Sequence, residues 1–142
     1  MSLDLKQART IADTALAKSV ELGLKPLAIA VLDVRGCLKA FLAQDGTSLL
    51  RGEVAHGKAY GALALGMGSR AIHKRAEQQA YFVDAVNTLA RGAIIPVPGG
   101  VLVRDAAGVL VGAVGISGDT SDNDELCALA GIAAAGLKPD VG

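Results

Sequence analysis

Hydrophobic residues recur at helical spacing over residues 3–22. The apolar face comprises Leu5, Ala8, Ile11, Ala12, Ala15, Leu16 and Val20. This spacing of three and four residues predicts an amphipathic helix. Gly23 suits the position just after a last helical turn, and Pro26 prevents the helix from continuing.

Two later segments carry apolar runs without helical spacing, which is typical of buried strands. The first comprises residues 27–34 and 37–43, joined by Asp33-Val34-Arg35-Gly36. The second, residues 100–117, repeats the arrangement around Asp105-Ala106-Ala107-Gly108. Asp at the first position and Gly at the fourth favour a type I turn with a glycine bulge. Two such hairpins predict one antiparallel sheet rather than alternating strand–helix–strand units.

The remaining segments have helical patterns. Residues 47–66 form the first predicted helix of this group, a short helix and a third one follow up to residue 90, and the last spans about residues 121–136. The predicted order is α-β-β-α-α-α-β-β-α. We therefore expect an α/β protein of the α+β type, a single domain over residues 1–142 in which helices flank one antiparallel sheet.

Composition narrows the possible functions. The chain has 142 residues, is 51% hydrophobic and only 3% aromatic, so Val, Leu, Ile and Ala must build the core. It has 14 basic and 14 acidic residues, which argues against nucleic acid as a partner. No apolar run approaches the roughly 18 residues that span a bilayer, and no signal-like apolar core precedes the first helix. We expect a cytoplasmic protein without a membrane partner.

The cysteines are too few and too isolated to predict a disulfide framework or a zinc site. Cys37 and Cys127 stand far apart, and no H-x-x-x-H pair or other metal-ligand spacing occurs. We therefore predict no metal site. The two histidines and two cysteines also form no recognisable nucleophile–base arrangement.

Residues 114–125, VGISGDTSDNDE, raise the question of a phosphate loop, a calcium loop or a helix start. The acids would repel a phosphate, and the glycines match no phosphate-loop motif. The spacing also excludes an EF-hand, although a looser cation site stays open. A helix start fits best, with Ser121 as the N-cap and Asp124 as its capping-box partner.

The C-terminal segment PVPGGVLVRDAAGVLVGAVGISGDTSDNDELCALAGI resembles the signature region of the GlcG/HbpS family of haem-binding and haem-degradation-associated proteins. AIAVLDVRGCLKAF resembles the family's first hairpin, and HGKAYGAL resembles its Lys-Ala helix. The resemblance implies a profilin-like fold and assembly into multimers, so we expect a homo-oligomer. Because some members bind haem, it also implies haem as a candidate cofactor.

Two positions depart from the family pattern. Members often carry Arg-Met-Asp-Gly after the second strand, whereas this chain has Ala43-Gln44-Asp45-Gly46. The resemblance thus carries Asp45 over as a candidate ligand-binding residue, without the arginine. Some haem-binding relatives use a histidine on the first helix, and residues 3–22 contain none. A haem iron would then be bound by His56, His73 or a tyrosine.

Arg51, His56 and Lys58 share one predicted helix and are candidates for a pocket wall. In that role Lys58 or Arg51 would hold a carboxylate, and His56 would act as acid, base or ligand. The alternative is that these residues belong to a solvated helix surface. The family match at Lys58 strengthens its assignment. A buried lysine requires an anionic partner, either a ligand or Glu53 on the same helix.

Two further segments are candidates for the same ligand. In Pro96-Val97-Pro98-Gly99-Gly100, the N–H groups of Gly99 and Gly100 could face a ligand, or the segment could be a structural turn. A basic cluster of Arg70, His73, Lys74 and Arg75 is either solvated surface or a wall for haem propionates. The predicted pocket lies where the 47–66 helix meets residues 96–100.

Three functions remain open at this point. The first is a small-ligand-binding protein of the GlcG/HbpS kind, with haem or a related tetrapyrrole as its anionic ligand. The second is an enzyme that acts on an organic acid in the Lys58/Arg51/His56 pocket. The third is an accessory protein without catalysis. Small-residue stripes on the 47–66 helix and on the last helix suggest contacts between subunits, as in a homo-oligomer.

Overall fold

The computed structural model describes residues 1–142 and forms one antiparallel sheet with helices on both faces. The strands lie in the order β2-β1-β4-β3-β5. The helices are α1 (Leu5–Glu21), α2 (Arg51–Leu65), α3 (Ser69–Gln78), α4 (Ala80–Leu89) and α5 (Ser121–Ala134). The strands are β1 (Ala28–Asp33), β2 (Leu38–Ala43), β3 (Gly100–Arg104), β4 (Leu110–Ser117) and β5 (Lys138–Asp140).

This architecture confirms the predicted fold class and element order, with one addition. The short strand β5, which the sequence analysis did not predict, pairs with β3 at the sheet edge. Helix α2 is shorter than the predicted 47–66 helix because it begins at Arg51. In α1, Leu5 and Val20 are exposed although both belong to the apolar face of the predicted helix.

Both predicted hairpin turns are present. The N–H of Gly36 donates to the carbonyl of Asp33 at 2.9 Å, and that of Gly108 donates to the carbonyl of Asp105 at 3.0 Å. Gly36 has φ 84° and Gly108 has φ 85°. These left-handed values favour glycine because a Cβ would be strained there. The repeated D-x-x-G sequence therefore has the same conformational cause in both hairpins.

The two faces of the sheet differ in side-chain size. Large residues such as Ile29, Val31 and Ile116 pack in the main core with α1 and α5. Small residues on the opposite face, such as Ala30 and Gly115, allow α2 to approach closely. A side chain at position 115 would overlap the Ala55 carbonyl of α2. The sequence of the sheet thus brings α2 almost into backbone contact with β4.

The small-residue stripes pack inside this one chain. The stripe on α2, with Ala55, Ala59 and Ala62, lies buried against the sheet. On α5, a side chain at Gly131 would overlap the carbonyl of Ile11 in α1. Helix α1 therefore occupies the α5 stripe at Gly131, whereas Ala134 at its end is exposed, and the contact between subunits stays a prediction. No helix combines the length and apolarity needed to cross a membrane.

Candidate functional site

Lys58 forms a buried ion pair with Asp124. The Lys58 Nζ lies 3.1 Å from the Asp124 Oδ2 and donates a second hydrogen bond to the Ile116 carbonyl at 2.8 Å. Lys58 is 2% exposed and Asp124 is 1% exposed. The other carboxylate oxygen, Oδ1, accepts a hydrogen bond from the Asp119 N–H at 3.0 Å. The anionic partner of the lysine is thus Asp124 of α5, and not Glu53 of its own helix.

Burial opposes the charge on both members of this pair. Loss of solvent lowers the pKa of Lys58, and the neighbouring Asp124 carboxylate partly offsets that effect. Burial likewise raises the pKa of Asp124, against the attraction of the Lys58 ammonium. Each charge therefore depends on the other, because an unpaired buried charge is costly.

Gly99 and Gly100 enclose the Lys58 side chain. A methyl group at Gly99, which has φ 120°, would lie 2.8 Å from the Lys58 Nζ, and one at Gly100 would overlap the Lys58 carbonyl. The N–H of Gly100 donates to the Ser69 Oγ at 2.6 Å. The Pro96–Gly100 segment thus packs tightly on α2, and the Gly100 N–H is already satisfied by a protein group.

Arg51 lies seven residues before Lys58 on α2, and its side chain reaches the end of β4. Its guanidinium donates to the buried Ser117 hydroxyl at 3.2 Å. Its positive charge also contributes to lowering the pKa of Lys58, although less than burial does. Arg51 therefore belongs to the same polar group of side chains as Lys58 without touching Asp124.

His56 lines a separate, open cleft of about 420 Å³ between α2 and residues 91–95. Leu50, Val54, Ala93 and Ile95 give it apolar walls, and Glu53 and Arg91 also line it. The His56 ring stacks on Tyr60, with ring centroids 6.2 Å apart and an interplanar angle of 16°. The cleft combines an imidazole, an apolar surface and a guanidinium, a lining that could hold a flat apolar ligand with an acidic group.

The structure places the predicted site residues in three positions. Lys58, Arg51, Gly99 and Gly100 come together around a buried ion pair, whereas His56 faces the open cleft. Asp45 is exposed in the turn after β2. The open cleft meets residues 91–95 rather than residues 96–100, so it lies beside the predicted pocket position.

The predicted basic cluster on α3 does not act as a unit. Arg70 forms ion pairs with Asp122 and Glu125 at the start of α5, the second at 3.1 Å. His73 lies 3.2 Å from the Pro96 carbonyl through Nδ1 and 3.3 Å from Glu77 through Nε2. Arg75 packs over the Phe82 ring at 4.9 Å. These contacts hold α3 against its neighbours.

The predicted helix start after β4 is present, but the capping residue is different. Thr120 is the N-cap of α5, and its hydroxyl accepts a hydrogen bond from the Asn123 N–H at 3.2 Å. The assignment of Ser121 as N-cap is wrong, because Ser121 is the first residue of the helix. Asp124 is not its capping-box partner either, since its carboxylate turns inward to Lys58.

Several site residues escaped the sequence analysis. Asp124 could have been found from its position on the face of α5 that also carries Cys127, Ala128 and Gly131, all of which are buried. Ser69 and Ser117 gave no signal because single serines are common at element ends. Arg91 was missed because the adjacent Gly92 is the more usual residue for a helix end.

Solved structures share this fold over most of the chain. A complex of PduOC with haem matches with a TM-score of 0.87 and 21% identity, over 97% of this chain and 98% of that one. Klebsiella pneumoniae protein ORFY matches with a TM-score of 0.84 and 23% identity, covering 94% and 90%. A double mutant of Streptomyces reticuli HbpS matches with a TM-score of 0.79 and 26% identity, covering 94% and 86%.

Sequence comparison gives the family directly. No curated protein matches the chain. The family model described as "Haem degrading protein HbpS-like" matches residues 3–133, which is nearly the whole length. The chain therefore belongs to the HbpS-like family, as the resemblance of its hairpins and helix starts indicated.

Proposed function

We propose that this protein binds haem or a related tetrapyrrole, with His56 as the residue that would bind the iron and the cleft between α2 and residues 91–95 as the binding surface. The observation that carries the proposal is the lining of that cleft, in which an imidazole stands beside apolar side chains. Membership of the HbpS-like family and the fold shared with a haem complex of PduOC support the choice of ligand.

The residues of the cleft fit the chemistry of haem. Neutral imidazole is a common ligand of haem iron, and His56 is held in place by its stacking on Tyr60. Leu50, Val54 and Ile95 offer apolar surface to one side of a macrocycle. The volume of about 420 Å³ lies within the range of about 300–1,000 Å³ of small-ligand sites.

A haem titration followed by the Soret band tests the proposal. The wild-type protein is expected to give a shifted Soret band that saturates with added haem. His56→Ala should lose this shift and bind haem at least tenfold more weakly, which corresponds to about 1.4 kcal/mol. The measurement should include melting curves, so that unfolding of a variant is not taken for loss of binding.

His73→Ala is the matched control. His73 is half-buried and contacts Pro96 and Glu77, outside the lining of the cleft. This variant should retain the wild-type spectrum. The proposal is wrong if haem added to the wild-type protein keeps the Soret band of free haem. It is also wrong if His73→Ala removes the shift of the Soret band while His56→Ala preserves it.

The anion-holding roles of Lys58, Arg51, Gly99, Gly100 and Asp45 stay predictions. A ligand carboxylate at Lys58 would have to replace Asp124 or share the ammonium with it, because Asp124 already lies at 3.1 Å. We therefore place the proposed ligand at His56, next to the Lys58 group and not within it. Binding of a ligand at His56 is the function that this arrangement supports best.

A further inference from the structure

Arg91 has a backbone conformation that is unusual for its residue type. Its φ is 59°, and it is the only residue other than glycine with a positive φ in the chain. It follows α4 directly: the Arg91 N–H donates to the Thr88 carbonyl at 3.0 Å, and the Gly92 N–H donates to the Asn87 carbonyl at 2.8 Å. These two bonds form a Schellman motif with Arg91 in the left-handed position that glycine usually occupies.

A helix end alone does not require arginine at this position. Glycine adopts the left-handed conformation without the steric cost that a Cβ brings, and Gly92 stands one residue later with φ 79°. Strain that is retained in the backbone of a single residue points to a use for its side chain. The position of that side chain suggests what the use is.

Arg91 lies at the border of two clefts. It lines the His56 cleft of about 420 Å³ and a second cleft of about 510 Å³ with Asp84, Asn87 and Thr88. It is the only arginine or lysine in either lining. Arg91 is exposed, and its guanidinium forms no ion pair.

We propose that Arg91 binds a carboxylate of the ligand, so that the site selects tetrapyrroles that carry free acid side chains. This inference rests on the proposed binding of a tetrapyrrole at His56. Arginine is suited to the task because its planar guanidinium donates two parallel hydrogen bonds to a carboxylate. Each cleft also contains one acid, Glu53 in the first and Asp84 in the second. A ligand carboxylate is therefore favoured only beside Arg91.

Binding of haem and of haem dimethyl ester to Arg91→Gly tests the proposal. The ester keeps the ring and the iron but lacks the free carboxylates. Arg91→Gly should bind haem at least tenfold more weakly, or about 1.4 kcal/mol. Its affinity for the ester should equal that of the wild type. Its melting temperature should be unchanged or higher, because glycine relieves the left-handed strain.

Lys74→Gln is the control for a general loss of positive charge. Lys74 is exposed on α3 and lines neither cleft, so this variant should bind both compounds as the wild type does. Equal weakening of haem and ester by Arg91→Gly would overturn the proposal, since it would indicate a structural role. Unchanged haem affinity in Arg91→Gly, with binding still dependent on His56, would overturn this inference and leave the haem site standing. Absence of haem binding by the wild type would overturn both.

Discussion

The Lys58 ammonium of α2 and the Asp124 carboxylate of α5 lie 3.1 Å apart, and both side chains are almost completely buried. The two helices pack on opposite faces of the sheet. The pair therefore joins the two layers of the protein beside the end of β4, where the Ile116 carbonyl accepts the second hydrogen bond. A buried pair of this kind fixes relative positions more than it adds net stability.

Lys58→Met should lower the free energy of unfolding by about 3–5 kcal/mol, because it leaves the buried Asp124 carboxylate without its counter-charge. Chemical denaturation at pH 7 measures the effect. The double variant Lys58→Met/Asp124→Asn should recover most of the loss, since asparagine is neutral and can still accept the hydrogen bond from the Asp119 N–H. A single variant as stable as the wild type would contradict the structural role of the pair.

The instability of Lys58→Met should depend on pH. Without the ammonium, burial is the largest influence on Asp124 and keeps the pKa of its carboxyl above the ordinary value, although the hydrogen bond from the Asp119 N–H opposes it. The folded variant then binds a proton at Asp124 that the unfolded chain releases, so this group adds stability to the variant as the pH falls from 7 toward 4. The difference from the wild type should therefore shrink over this range. Denaturant midpoints of both proteins at several pH values check the sign, and a difference that grows on acidification would contradict it.

The N-terminal end of α5 has two neighbouring hydroxyl groups, those of Thr120 and Ser121, whose contributions to stability can be compared. Thr120→Ala should lower the free energy of unfolding by about 1 kcal/mol, because its hydroxyl caps the Asn123 N–H. Ser121→Ala should have little effect, since Ser121 lies within the first turn. Denaturant melts of the two variants measure both losses of stability and show which hydroxyl caps the helix. A larger loss in Ser121→Ala would restore the capping role that the sequence suggested.

Local chemistry made much of the fold predictable. The D-x-x-G turns, the glycine after α1 and the apolar runs each specify a backbone conformation within a few residues. The order of the elements and the antiparallel sheet followed from these signals. Strand β5 was missed because Lys138-Pro139-Asp140 has neither apolar alternation nor β-branched residues. Its pairing with β3 depends on the edge that β3 leaves open.

The site was less predictable because its contacts join distant parts of the chain. Lys58 was correctly expected to need an anion, but its partner lies 66 residues away. Asp124 looked like a capping residue, since a polar side chain near a helix start has that role more often. His56 and Lys58 are two residues apart and therefore point in different directions from α2. The residues predicted to line one pocket thus lie in two separate places, a buried ion pair at Lys58 and an open cleft at His56.

The two cysteines should differ sharply in reactivity. Cys37 is exposed in the first hairpin, whereas Cys127 is buried on α5. Burial raises the pKa of the Cys127 thiol to about 11, and the nearby Asp124 carboxylate acts in the same direction. Because the thiolate is the reacting form, Cys127 should resist a thiol reagent at pH 8 in the folded protein while Cys37 reacts. Mass spectrometry after labelling should find one modified site in the native protein and both after denaturation. Rapid labelling of Cys127 without denaturant would indicate that α5 separates readily from α1 and the sheet.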